Sequence, residues 1–116
     1  AGVAETVLEK LVNEKYIDER RFAGFYARDK FRFNKWGRNK IAWHLRQKKI
    51  DNAVIADVLS NLNDDEYQQT LFSLLKEKER SVAGRDFLKK KAALVRFAAS
   101  KGFEYDQIMK TLDRLL

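Results

Sequence analysis

Proline does not occur in this chain of 116 residues, and neither does cysteine. The first absence removes the residue that most often breaks a helix, so nothing forbids long ones. The second excludes disulfides and thiolate zinc sites, and fits a reducing, cytoplasmic location. Histidine occurs once, at His44, and one imidazole without thiolates cannot build a zinc site of the usual kinds. There is no glycine-rich phosphate loop and no Gly-x-Gly-x-x-Gly. No apolar run approaches membrane-spanning length, and no stretch is laid out as a signal peptide. Catalytic residues, metal and cofactor are therefore not expected, and binding is the expected mode of action. The chain opens Ala-Gly without an initiator methionine, as expected of a piece of a longer protein or of one with an appended dipeptide.

What is present is charge. Charged residues make up 35% of the chain against 45% hydrophobic ones, enough apolar surface for packed helices and much solvated surface besides. The net charge of +7 is unevenly placed. Residues 18–50 carry eleven Lys and Arg against three acids, a local +8, while residues 1–17 sum to −1 and residues 51–116 balance. A concentrated basic segment attracts polyanions: nucleic acid, acidic protein surfaces or, least favoured here, anionic lipid.

Apolar residues recur at spacings of three and four with no sustained alternation, which predicts an all-α protein. Helices are expected near 4–14, 19–34, 38–48, 52–62, 66–80, 86–101 and 105–115. Asp18, Asp51 and Asp65 stand where N-caps belong, Gly102 suits a left-handed C-cap, and Gly37 separates two basic helices. The pattern also repeats. Val54, Val58, Leu59 and Leu62 match Val3, Val7, Leu8 and Leu11 at an offset of 51, with Tyr67 then matching Tyr16. Ile41, Leu45, Ile50, Ile55 and Leu59 match Leu94, Ala98, Phe103, Ile108 and Leu112 at an offset of 53. Three helices per period imply tandem three-helix repeats in an elongated or crescent-shaped array. Residues 1–17 are the last helix of a truncated first repeat, 18–63 the second repeat and 64–116 the third.

Three segments then resemble one family. Tyr16-Ile17-Asp18-Glu19-Arg20-Arg21-Phe22-Ala23 is similar to the signature opening the second repeat of the RecX proteins, modulators of the RecA recombinase. Gly37-Arg38-Asn39-Lys40-Ile41 with Leu45-Arg46-Gln47-Lys48-Lys49-Ile50 resembles the helix that follows, and Val95 to Tyr105 the ending of the third repeat. Two departures stand out: Lys49 occupies a place where the family usually has glycine, and the family's first two helices are missing. The resemblance implies a crescent lying along the groove of a RecA–single-stranded-DNA filament and restraining its growth, strand exchange and ATP hydrolysis, with no active site of its own. It places the chain in recombinational repair and the SOS response. Single-stranded DNA, and double-stranded DNA as a second ligand, are the implied nucleic-acid partners; a membrane is not, and a monomer is the favoured state.

The basic segment supplies the candidate contacts. At 100° per residue, Arg21, Arg28 and Arg32 form a stripe about 40° wide, while Phe22, Phe25, Tyr26 and Phe33 share another sector. Such arginines are either a solvated face or a row of phosphate and carboxylate contacts, for which the planar guanidinium is suited. Arg38, Lys40 and Arg46 continue the excess on the next helix. Trp43 projects away from the side defined by Ile41, Ala42 and Leu45, to stack a base or anchor a partner, or else to pack on a neighbouring helix. Trp36 is expected to plug the core at the connection. Asp64-Asp65-Glu66 reads as a helix start, and Lys89-Lys90-Lys91 with Arg96 and Lys101 as a soluble face in preference to a second contact. Two other functions remain open. One is independent DNA binding, against which Asn52 to Leu62, with one acid and no base, makes a poor recognition helix; the other is a helical scaffold for an acidic protein partner.

Overall fold

The computed structural model describes the backbone of residues 2–116 and the side chains from Val7 onward. The described residues form six helices: α1 (Gly2–Asn34), α2 (Arg38–Gln47), α3 (Asn52–Ser60), α4 (Asp64–Ser81), α5 (Phe87–Ser100) and α6 (Tyr105–Leu115). They pack as two triplets, α1 with α2 and α3, then α4 with α5 and α6. The molecule is a rod of 71 × 22 × 21 Å.

The first triplet buries Ala23, Ala27 and Phe31 of α1 against Ile41, Ala42 and Leu45 of α2 and against Val54, Ile55, Val58 and Leu59 of α3, with Leu62 just beyond. The second buries Tyr67, Leu71 and Leu75 of α4 against Ala93, Leu94 and Ala98 of α5 and Ile108 and Leu112 of α6. Every pair at the offset of 53 shares an environment, except that Ile50 is half-buried where Phe103 is fully so. The offset of 51 fares differently: Val54, Val58, Leu59 and Leu62 are core, whereas Val7, Leu8 and Leu11 are exposed and the Val3 side chain lies outside the described residues. Tyr16 is likewise exposed on α1 while Tyr67 is buried at the start of α4.

The expected break before Asp18 is absent. One helix of 33 residues runs from Gly2 to Asn34, about 50 Å long, and its first buried described residue is Ala23. No glycine or proline interrupts residues 3–23, and Lys15 pairs with Glu19 across one turn at 3.9 Å, so Asp18 sits inside a helix rather than capping one. Asp51 does cap α3, accepting from the Ala53 amide at 2.8 Å. For α4 the cap is Asn63, which accepts from the Glu66 amide at 2.9 Å; Asp65 falls in the first turn with Asp64 and Glu66, where acids complement the helix dipole.

Candidate functional site

Where the triplets meet, backbone touches backbone. The Gly37 amide donates to the Lys101 carbonyl at 2.8 Å and the Asn39 amide to the Gly102 carbonyl at 2.9 Å. A Cβ on Gly37 would lie 2.4 Å from the Gly102 carbonyl carbon, and Gly102, at a φ of +95°, would drive one into Lys40. Arg38 fills the remaining space. Its Nε donates to the Leu59 carbonyl at 3.1 Å, Nη1 to Glu104 and Nη2 to Asp64, both at 3.2 Å. Its amide donates to the Tyr67 hydroxyl at 2.9 Å, and its guanidinium lies 4.0 Å above the Tyr67 ring. The Tyr67 hydroxyl donates in turn to Glu104. Burial first, and that bond second, raise the Tyr67 pKa above the ordinary phenol value. Arg38 therefore departs from the exposed contact face expected for it: its side chain is 18% exposed and engaged with the two units it joins.

The other candidate residues fall on two flanks. Arg21, Arg28 and Arg32 are exposed on α1. This row faces the α3 and α4 side: Arg28 and Val58 both lie beside Gly24, and Arg32 Nε stands 3.5 Å from Glu66. On the outermost face of the same helix Phe22, Phe25 and Phe33 are exposed, Phe33 to 80%. Tyr26 and Lys30 lie roughly 160° around the helix from Arg28 and Arg32, toward α2.

On that second flank rings and lysines interleave. Trp36 stacks on His44 with centroids 4.5 Å apart and planes 19° apart, and Trp43 meets His44 edge-on at 4.9 Å. Lys40 stands 4.9 Å from the Trp36 centroid and Lys30 5.4 Å from it. Lys30 and Lys48 are each 5.5 Å from the Tyr26 centroid. Trp43 is 55% exposed. Trp36 is only half-buried, resting against the core as a lid between His44 and the lysines rather than plugging it. Arg46 is exposed and reaches Asn52 at 3.4 Å. Lys40 and Trp43 thus come together, while the arginine row is held apart from them. Lys30, Trp36, His44 and Lys48 are members of this cluster that the sequence reading did not select. The spacing of four between Lys40, His44 and Lys48, and again between Tyr26 and Lys30, is the signal that marks it.

Among the described residues no group of three or more His, Asp or Glu could hold a metal ion, and no helix is long and apolar enough to cross a membrane. Stacked three-helix units define a helical-repeat protein. Models of the RecX family, its second and third three-helix domains, match residues 18–59 and 64–112, and the chain belongs to that family. It is 32% identical over 114 residues to the regulatory protein RecX of Clostridium tetani, covering 97% of this chain and 52% of that one. It is 27% identical over 114 residues to the regulatory protein RecX of Bacillus cytotoxicus, covering 98% and 42%. The chain thus spans about half the length of these curated relatives. The crystal structure of RecX from Lactobacillus salivarius shares the fold, with a TM-score of 0.81 at 22% identity over 96% of this chain and 72% of that one.

Proposed function

We propose that this chain is a non-enzymatic regulator of the RecA recombinase, which binds the RecA–single-stranded-DNA filament and restrains its growth, strand exchange and ATP hydrolysis. Membership of a family whose relatives are named regulatory protein RecX supports the partner. The observation that carries the contact is the exposed row Arg21, Arg28 and Arg32 beside exposed Phe22, Phe25 and Phe33 on α1. Apolar rings flanked by guanidinium groups suit a protein surface with an acidic rim, or one that borders phosphates. Residues 1–17 belong, in this reading, to a preceding three-helix unit. Exposed Val7, Leu8, Leu11 and Val12 and the greater length of the relatives support it.

Co-sedimentation with preformed recombinase–single-stranded-DNA filaments tests the proposal. Arg28→Glu with Arg32→Glu lowers binding at least tenfold and abolishes the restraint on ATP hydrolysis. Folding stability hardly changes, because exposed charges contribute little. Lys76→Glu with Arg80→Glu, at exposed positions of α4, applies the same change of net charge elsewhere and leaves most of the binding. Equal losses in the two double variants would reduce the row to bulk electrostatics, and no loss in either would place the contact elsewhere.

A further inference from the structure

The α2 flank carries something the α1 face does not, namely an exposed indole braced by stacked rings, with lysines over the neighbouring aromatics. We infer that it is a seat for unpaired nucleobases, through which the chain grips single-stranded polynucleotide at a place separate from the α1 arginines. Trp43 is the landing ring. Its indole is more than half exposed, although it sits on a helix whose opposite side is core. His44 props it edge-on, and Trp36 backs His44 face to face, so the ring projects from a braced support rather than from a loose side chain. A base has a π-face whatever its sequence, so such a platform stacks bases without reading them.

The cations fit the same ligand. Lys30, Lys40 and Lys48 stand over aromatic rings, and among the described residues none of them forms an ion pair. Asp29 is the carboxylate on this side, close enough to raise the Tyr26 pKa after burial has done so. Lys30 and Lys48 beside the Tyr26 ring, and Lys40 beside Trp36 and one helical turn from Trp43, leave negative charge to be supplied from outside, while the exposed Trp43 indole offers its face to a flat partner. A phosphodiester chain with unstacked bases supplies both. Duplex DNA supplies only the charge, because its bases are closed in the stack. The helix after this one, α3, has no basic residue with which to enter a groove. The site extends the proposed function and is tested without the recombinase.

Titration of the chain with oligo-dT, followed by tryptophan fluorescence, gives quenching and a salt-dependent affinity. Trp43→Ala removes most of the quenching and weakens binding about tenfold at unchanged salt slope, while Trp43→Phe keeps most of the affinity. Lys40→Ala and Lys48→Ala instead reduce the slope, by about 0.7 each on a single strand. An abasic strand of equal length binds the parent chain no better than oligo-dT binds Trp43→Ala. The inference is overturned if Trp43→Arg binds oligo-dT as well as the parent chain, or if the abasic strand does as well as oligo-dT, since charge alone then suffices. It is also overturned if Trp43→Ala weakens filament binding and leaves bare-strand binding intact, for the ring is then a protein contact. Filament binding that survives without any oligo-dT binding removes this site and leaves the proposed function standing.

Discussion

Lys49 holds a φ of 62° and Lys35 one of 58°, left-handed values in which a Cβ crowds the following carbonyl. Each ends a helix by the route Gly102 uses after α5. The amide of the next residue reaches back to the last turn, Ile50 to Leu45 and Trp36 to Lys30, as Phe103 does to Ala98. Lysine where the family usually has glycine therefore does not alter the turn. The half-buried Ile50 needs that turn to reach the core, and packing outweighs the local strain. Lys49→Gly relieves the strain and stabilises the chain by about 1 kcal/mol. Urea unfolding measures this, and an unchanged or lower midpoint would show that Lys49 sits there at no cost. The Asp51 cap and the left-handed Gly102 were legible, because caps and turns are local, whereas nothing in a lysine marks Lys35 or Lys49 as left-handed. Arg38 was not legible either: Asp64, Tyr67 and Glu104 lie 26, 29 and 66 residues away along the chain. Nothing near Arg38 distinguishes it from the exposed arginines of α1.

At the scale of the element, α3 is the clearest case of sequence becoming structure. Its apolar residues recur at helical spacing, and Val54, Ile55, Val58 and Leu59, with Leu62 just beyond, are all buried. Leu59→Ala leaves a void between α3 and its neighbours and costs on the order of 2–5 kcal/mol. A melting temperature that does not move would mean that α3 is not packed as described. Helices α2 to α6 were readable for the same reason, since a period of three and four survives only where one face is core. The break proposed before Asp18 failed because an aspartate inside a helix costs only a fraction of a kcal/mol, and interrupting the helix forfeits more by requiring a second nucleation. The arginine row was readable from helical geometry, whereas its separation from Lys40 and Trp43 depends on which side of α1 receives α2. No spacing along the chain encodes that.

At the scale of the molecule, the two triplets share little side-chain core, the stack of Phe31 on Tyr67 at 5.5 Å being their aromatic contact. What joins them is mostly polar, the Gly37–Lys101 and Asn39–Gly102 backbone bonds and the Arg38 cluster. Gly37→Ala pushes a methyl group into the Gly102 backbone, costs about 1–3 kcal/mol and is expected to uncouple the unfolding of the two triplets. Calorimetry decides it, a single transition at the parent temperature being the outcome that refutes the coupling. The unbroken α1 has a different consequence. Its outer half is joined to the body by a screw thread and not by a tether. Each residue added to it advances whatever rides there by 1.5 Å and turns it by 100°. One residue inserted between Val12 and Asp18 would swing the outer face by more than a quarter turn. Seven would bring it back to within about 20°, roughly 10 Å farther out. Length along this helix can change only in steps that preserve its phase.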